Sequence, residues 1–358
     1  LPILGQLNSP YVPDFPGAEQ FAGPAFHTAR WDHDVDLTGR NVVMVGAGAT
    51  GFQVAPAIAD TVGTLTIFQR TAQWMFPNPN YHAKVGPGVR WALRHLPFYG
   101  RWYRFLIFWP GCDSGLAAAK VDPEWPDQQR AVSAANDLAR MMFTEWITSQ
   151  IDGDEELVAK VVPDYPATGK RTLQDNGSWL KTLTRDNVEL VRCGIARIEP
   201  DAVVDTEGRR HPADVLIYAT GFQWMATSTF NMIEGRGGRT LTQKWAEEGT
   251  KTFLGLHSNG FPNLFIVTGP QGGGGSFNFM DGIEDHSDYV TWLLTTMRDQ
   301  GKELVDVDPA QEEACARHCA EADIATAPLR DCLSYYNGHG EARPGSLAYY
   351  GGGQWQKR

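Results

Sequence analysis

The residues of this chain best suited to chemistry form a glycine loop with the spacing Gly46-x-Gly48-x-x-Gly51. The loop follows the apolar run at 41–46, as expected where a buried strand turns into a helix. Glycines at this spacing allow a tight turn, the approach of a pyrophosphate to the backbone, and close packing of helix on strand. The helix N-terminus would add N–H donors and partial positive charge. The pattern predicts a dinucleotide phosphate site, and a tight turn in an unrelated α/β protein is the alternative.

The residues after the next predicted strand, Thr64–Phe68, select between the two nicotinamide cofactors. An NAD site places Asp or Glu about 20 residues after the glycine loop, where the carboxylate binds ribose hydroxyls. Here the residues are Gln69, Arg70 and Thr71, with no acid among them. A guanidinium can pair with a 2′-phosphate through two hydrogen bonds, and a threonine hydroxyl can add a donor. The sequence therefore favours NADPH over NADH, although Arg70 could also be a solvated surface charge.

Three further features carry polar or flexible groups with less specific patterns. Lys170 and Arg171 form a basic pair that, by composition alone, reads as part of a surface loop. His27 and Trp31 are four residues apart and could share a helical face, but a lone histidine is more often structural than catalytic. The glycine-rich segment Gly269–Phe279 could approach a flat cofactor closely or form a plain loop.

The elements around the glycine loop form a β-α-β unit. A helix predicted at 49–62 connects the strand at 41–46 with the strand at 64–68. Pro56 lies beyond the first turn of this helix, so we expect a local kink or a lost hydrogen bond there. This alternation of strand and helix predicts an α/β fold with a parallel, Rossmann-like sheet.

Composition limits the class of protein and of partner. The chain has 358 residues, 42% of them hydrophobic and 20% charged, which is ordinary for a globular protein with room for two or three domains. The net charge of −11 argues against nucleic acid as the main partner, yet allows a local basic pocket for one cofactor phosphate. Five scattered cysteines fit a reduced cytoplasmic protein better than a disulfide framework. We expect no metal site, because Cys315 and Cys319 lie in a predicted helix where ordinary packing explains them.

No transmembrane segment is expected. The most apolar stretch, Phe98–Gly111, is interrupted by Arg101 and Arg104 and is too short to cross a bilayer. A lid packed on the protein and a helix in weak contact with a membrane surface both remain open for it.

Taken in chain order, the motifs resemble those of Baeyer–Villiger monooxygenases, a class of flavin-containing monooxygenases. They are FAGPAFHTARWD, GAGATG, FQRTAQW, YPATGKR, IYATGF, FPNLFIVTGP and GIEDH. The first has the form F-x-G-x-x-x-H-x-x-x-W-D, and related N- and S-oxygenating enzymes usually lack its tryptophan. The segment Asn78–Phe105 is most similar to the branch that acts on aryl ketones, large cyclic ketones or steroids.

This resemblance implies a flavoprotein with two dinucleotide-binding domains. The implied organisation is a linker and remnant of the FAD domain at 1–32, an NADP-binding domain at 33–75 and 161–221, a helical insertion at 76–160, and the second part of the FAD domain at 222–358. The family's first glycine loop, which binds FAD, would precede Leu1. We therefore expect this sequence to be the middle and end of a longer protein.

The resemblance also implies which residues bind the cofactors NADPH and FAD. The NADPH pyrophosphate would lie on Gly46, Gly48, Ala49, Thr50 and Gly51; the 2′-phosphate on Arg70, Thr71 and Lys170; and the flavin beside Ser276, Asn278 and Phe279. Arg171 would match the active-site arginine of the family, and His27 belongs to the motif thought to couple domain movement with catalysis.

The reaction implied is the conversion of a small-molecule ketone into an ester or lactone with O2, NADPH and FAD. A guanidinium such as that of Arg171 stays charged at any working pH and can stabilise a developing oxyanion. Three alternatives remain open: a flavin-dependent N- or S-oxygenase, a disulfide reductase, for which the redox pair of closely spaced cysteines is absent, and an inactive NADPH-binding fragment.

Overall fold

The structure is a computed structural model that describes residues 7–78, 81, 83–109, 115–151, 153–223, 228–274, 279–324 and 349–350. Its strands are β1 (Ala25–His27), β2 (Asn41–Val45), β3 (Thr64–Phe68), β4 (Met75–Pro77), β5 (Leu173–Asp175), β6 (Val188–Val191), β7 (Ile195–Glu199), β8 (Ala202–Asp205), β9 (Arg210–Pro212), β10 (Val215–Tyr218), β11 (Gly273–Gly274) and β12 (Tyr349–Tyr350). Its α-helices are α1 (Gly51–Ile58), α2 (Pro87–His95), α3 (Tyr99–Phe108), α4 (Ala134–Thr148), α5 (Glu155–Val161), α6 (Ser178–Leu183), α7 (Ser228–Asn231), α8 (Leu241–Glu248), α9 (Phe279–Asp299) and α10 (Pro309–Ile324).

A five-stranded parallel sheet holds the first half of the chain together. Its spatial order is β1-β10-β2-β3-β6. The three interior strands, β10, β2 and β3, are almost fully buried because their apolar runs are covered on both faces, as in other parallel sheets. The α/β fold predicted from the sequence is confirmed, and both strands of the predicted β-α-β unit are present.

The helix of that unit, α1, covers one face of the sheet. It is shorter than the helix predicted at 49–62, and Pro56 lies inside it, two residues before its end. Pro56 has no N–H, so this helix loses one internal hydrogen bond at that turn. Phe52 stacks on Trp179 of α6 with ring centroids 5.4 Å apart, and this contact fixes α1 against the next helix on the same face.

The register of the sheet determines what meets at its carboxyl edge. The last residues of all five strands, which are His27, Tyr218, Val45, Phe68 and Val191, pair in one row. The loops that follow these strands therefore emerge side by side, at the edge where parallel α/β sheets bind ligands.

The chain between β3 and β6 is mainly helical. Helices α2 and α3 form a hairpin with few buried side chains, whereas α4 packs against the short strand β4. Strand β4 pairs in parallel with β5, so the start and the end of this region lie next to each other. The assignment of 76–160 as an inserted domain remains a prediction.

The C-terminal region has two smaller apolar clusters, one that includes Leu241 and Trp245 of α8 and one that includes Val290 of α9. Helix α9, the longest described helix of this region, runs for 21 residues from Phe279 to Asp299. Within the described ranges, no helix is long and apolar enough to cross a membrane.

Candidate nucleotide-binding site

The glycine loop after β2 takes the shape that its sequence predicts, and each glycine has a different physical reason. Gly46 has φ +109°, and a Cβ there would lie 2.5 Å from the carbonyl oxygen of Ala219. A Cβ on Gly51 would collide with the carbonyl oxygen of Gly46. A Cβ on Gly48 would meet nothing within 4 Å. The fold therefore requires glycine at the first and third positions, whereas the second borders open space.

That open space is lined by backbone donors. Within the described ranges, no hydrogen bond uses the N–H groups of Gly48, Ala49 or Thr50. Thr50 is the N-cap of α1, and its side chain makes no capping hydrogen bond. Unpaired N–H groups at a helix N-terminus bind anions, because they donate hydrogen bonds and carry the positive end of the helix dipole. The loop thus has the room and the donors that a pyrophosphate needs.

Of the residues that follow β3, Gln69 is buried and hydrogen-bonded within the fold, whereas Arg70 is exposed to solvent. Gln69 is buried; its N–H donates to the carbonyl of Val191 at 2.9 Å, and its Nε2 donates to the carbonyl of Lys160 at 2.9 Å. Arg70 is exposed and makes no ion pair or hydrogen bond with any part of the chain that the structure describes. Thr71 is half-buried beside it. A free guanidinium is thus available one strand away from the glycine loop.

Lys170 is joined to this segment through Tyr165. The Tyr165 hydroxyl donates to the carbonyl of Ala72 at 3.0 Å, and the Tyr165 carbonyl accepts a hydrogen bond from Trp74 Nε1 at 3.0 Å. Lys170 Nζ lies 5.0 Å from the centroid of the Tyr165 ring, a cation–π contact. These contacts hold Lys170 near the chain that follows Arg70, so the two basic groups predicted to share a phosphate lie in the same region.

A buried asparagine positions the Lys170–Arg171 loop. Asn136, in the first turn of α4, is fully buried and donates from its side-chain amide to the carbonyls of Ala118 and Ala167, both at 2.6 Å. Arg171 is exposed just before β5. Asn136 could not be predicted from the sequence, because its place in the first helical turn after Ser133 does not distinguish it from other asparagines. Its role depends on partners distant in sequence.

His27 ends β1 at the edge of the sheet and is buried. Its Nδ1 accepts a hydrogen bond from the N–H of Ala29 at 3.0 Å, whereas Nε2 has no hydrogen-bond partner among the described residues. Burial lowers the pKa of His27; the nearby carbonyl of Gly221 opposes this effect and the charge of Arg30 adds to it. Because Nδ1 is an acceptor, the neutral ring must carry its proton on Nε2. His27 therefore offers one N–H donor, on Nε2, in the neighbourhood of the Gly221 carbonyl.

His27 and Trp31 do not form a shared helical face. The chain between them makes one 3-10 turn, Thr28–Arg30. The ring of His27 packs on Phe222 and that of Trp31 packs on Phe26.

The predicted flavin side is only partly described. Phe279 begins α9 and is exposed. Ser276 and Asn278 lie outside the described residues. In the described part of this region, Gly255 has φ +71° and packs so closely on Gly272 that no Cβ fits between the two segments.

Comparison with known proteins places this geometry in context. Residues 3–82 match the model of the family described as flavin-binding monooxygenase-like. The chain is 39% identical over 315 residues to an uncharacterized monooxygenase, y4iD, of Sinorhizobium fredii, covering 87% of this chain and 47% of that protein. It is 33% identical over 312 residues to a Baeyer–Villiger monooxygenase of Streptomyces coelicolor, covering 86% of this chain and 56% of that protein. The chain thus spans about half the length of these relatives.

Solved structures show the same fold. An oxidized steroid monooxygenase bound to NADP superposes with a TM-score of 0.78 at 28% identity, over 98% of this chain and 70% of that one. A cyclohexanone monooxygenase from Rhodococcus sp. Phi1, bound to NADP+, gives 0.78 at 26% identity, over 99% of this chain and 70% of that one.

Proposed function

Because the chain belongs to the Baeyer–Villiger family of flavin-binding monooxygenases, we propose that it acts in the oxidation of a small-molecule ketone to an ester or lactone. The reaction inserts one oxygen atom from O2 next to the carbonyl carbon. The observation that carries this proposal is the glycine loop, where open space and unpaired N–H groups lie one strand from a free guanidinium. We further propose FAD and NADPH as cofactors and a cytoplasmic location.

The loop fits the pyrophosphate of NADPH. The N–H groups of Gly48, Ala49 and Thr50 donate to its oxygens, and the positive end of the α1 dipole stabilises its charge. Gly46 and Gly51 keep the turn tight enough for this approach. When bound, NADPH supplies the hydride and FAD supplies the oxygen-activating chemistry.

The basic groups at the ends of β3 and of the α5–β5 loop fit the 2′-phosphate. Arg70 would hold it with its guanidinium N–H groups, Thr71 would add a hydroxyl and Lys170 a positive charge. Lys170 lies over the ring of Tyr165, whose hydroxyl donates to the carbonyl of Ala72, two residues after Arg70. NADH lacks this phosphate, so the same residues select against it.

Arg171 and His27 are the side chains proposed for the reacting end of the site. Arg171 stabilises negative charge that develops on the substrate oxygen, since its guanidinium remains charged. His27 holds its ring neutral through burial and presents the Nε2 proton as a donor to a bound group or to a neighbouring backbone carbonyl. Ser276, Asn278 and Phe279 are proposed to lie beside the flavin, and the domain boundaries given above belong to the same proposal.

The visible absorption spectrum of the purified chain, before and after addition of FAD, tests this function first. We expect a bound-flavin spectrum that bleaches with NADPH and returns with air, followed by ester formation from a panel of aryl, cyclic and steroid ketones. NADPH binding without any flavin binding would contradict the oxygenase activity for this chain and indicate a nucleotide-binding module. Oxygenation of amines or sulfides but of no ketone would indicate an N- or S-oxygenase.

A further inference from the structure

Helices α2 and α3 expose an unusual amount of apolar surface. We call residues 83–109 the aromatic hairpin. Phe98, at the turn between the helices, is 76% exposed, and Trp102 is 58% exposed. Phe98 also has φ +60°, a conformation that costs a non-glycine residue free energy. Single exposed apolar residues are common on proteins, but a contiguous cluster marks an interaction surface.

The apolar face of α3 points away from the body of the protein. Arg104 lies on the inner side, where its guanidinium bonds to Asp281 at 2.5 Å and to Glu284 at 2.7 Å, both on α9. Trp102, Phe105 and Trp109 follow one another at spacings of three and four residues, and their rings stack in turn with centroids 5.5 and 5.7 Å apart, so they form one stripe along the helix. At 100° per residue, Trp102 is about 160° from Arg104, so the stripe faces outward. A helix that only packs on its own protein turns its apolar face inward and its charged residues toward solvent.

The aromatic hairpin also carries a net positive charge, whereas the chain as a whole is acidic. It contains five Lys or Arg residues, of which Arg104 is paired with α9, and no Asp or Glu; the sequence has no acid from Thr61 to Cys112. The chain as a whole carries a net charge of −11. Arg90 and Arg94 are exposed on α2, one turn apart. A second copy of this chain would therefore bring like charge against like charge at this surface, which opposes self-association.

We propose that the aromatic hairpin binds the surface of a bilayer that contains anionic lipids. Tryptophan and phenylalanine enter the boundary between headgroups and acyl chains, while arginine and lysine pair with lipid phosphates. Helix α3 has ten residues and is about 15 Å long, which suits a helix lying in the interface rather than crossing the bilayer. The charge complementarity favours this occupant over a neutral apolar partner. The proposal does not depend on the oxygenase function.

Sedimentation with vesicles tests the proposal. The chain is mixed with vesicles of phosphatidylcholine alone or of phosphatidylcholine with phosphatidylglycerol, at low and at high salt. We expect binding to the anionic vesicles, weakened by salt, and little binding to the neutral ones. The double variant Trp102→Ser/Leu106→Ser and the double variant Arg90→Glu/Arg94→Glu should each reduce the bound fraction at least tenfold, since each removes about 1.4 kcal/mol or more.

Matched controls separate this surface from general stickiness. Leu304 is exposed to 54%, close to the 51% of Leu106, but lies in the loop before α10. Leu304→Ser and Arg298→Glu should leave vesicle binding unchanged, and circular dichroism checks that every variant is folded. No binding to anionic vesicles would overturn the proposal. An equal loss of the vesicle-bound fraction in the hairpin variants and in the controls would also overturn it. A dimer in solution that Trp102→Ser abolishes would overturn it too, because the occupant of the surface would then be a second copy of the chain.

Discussion

Among single side chains, Arg70 gives the sharpest link from sequence to specificity. Its position directly after β3 could be predicted, because a buried strand ends there and the next residues must emerge at the sheet edge. The sequence could not show whether an acidic neighbour neutralises it. The structure answers that for the described residues, where Arg70 has no such partner.

We predict that Arg70→Ala raises the KM for NADPH about ten- to a hundredfold and leaves the KM for NADH nearly unchanged. The reason is that a hydrogen bond to a charged group contributes about 1.5–3 kcal/mol. Steady-state or binding titrations with both nucleotides measure the split. Arg298→Ala, which removes an exposed arginine that pairs with its neighbour Asp299, is the control and should change neither value. Equal effects of Arg70→Ala on both nucleotides would show that this residue does not bind the phosphate.

Arg171 is expected to act on the reaction more than on cofactor affinity. Arg171→Ala should lower the rate of ester formation at least a hundredfold, as removal of a group that stabilises an oxyanion does. NADPH affinity should stay within about threefold, because Lys170 and Arg70 remain. The two quantities are measured by product chromatography and by fluorescence titration. Wild-type ester formation by this variant would remove Arg171 from the mechanism.

Buried histidines make stability depend on pH. Burial lowers the pKa of His27 and of His257, so the folded protein binds fewer protons than the unfolded chain below pH 6.5. Stability is therefore full above that pH and falls as the pH drops toward the lowered values. His27→Gln should flatten this acid-side loss in urea unfolding followed between about pH 7 and 5. The exposed His95→Gln serves as control, and an unchanged slope in His27→Gln would contradict the prediction.

Helices and strands that depend mainly on their own sequence could be predicted, whereas those that depend on pairing with a distant segment could not. Strand β3 has the predicted bounds, because a short apolar run at the centre of a parallel sheet depends on little besides its own sequence. Strands β4 and β5 were not predicted. They contain Pro77 and Asp175 and exist because two distant segments pair. The hydrogen bonds from Asn136 of α4 to the carbonyls of Ala118 and Ala167 likewise join segments that are distant in sequence.

The loop before α1 allows one glycine to be tested against another. Gly48→Ala should fold with nearly unchanged stability, since its Cβ would enter open space, but it should weaken NADPH binding by about tenfold or more because that space is needed for phosphate. Gly51→Ala should instead destabilise the fold, since its Cβ collides with the carbonyl of Gly46.

Thermal unfolding and nucleotide titration of both variants give the comparison. If Gly48→Ala bound NADPH as tightly as the wild type, the pyrophosphate would not approach the backbone at this position. If Gly51→Ala were as stable as the wild type, the close approach of α1 to the loop would not be needed.

For the protein as a whole, one buried ion pair ties the C-terminal half together. Lys244 of α8 and Glu312 of α10 are both nearly inaccessible, with Nζ–Oε distances of 2.7 and 3.0 Å. Ser258 and the backbone of Asn259 complete the hydrogen bonds of both groups. Such a pair contributes little net stability compared with an apolar replacement, but breaking it leaves an uncompensated charge inside the protein. No sequence pattern could match these two residues, which are 68 positions apart.

Glu312→Gln should therefore lower the free energy of unfolding by about 3–5 kcal/mol. The adjacent Glu313 offers a matched control, because it pairs with Lys251 at 2.6 Å but is half exposed, and Glu313→Gln should cost about 0–1 kcal/mol. Urea unfolding of both variants, followed by circular dichroism, measures the difference. If both variants lost the same free energy of unfolding, burial of the Lys244–Glu312 pair would not make its loss more costly than that of an exposed pair. The double variant Lys244→Met/Glu312→Leu, which replaces both charges by apolar side chains, should recover much of the stability lost in Glu312→Gln. That recovery would show that each charge is needed in the core because the other one is there.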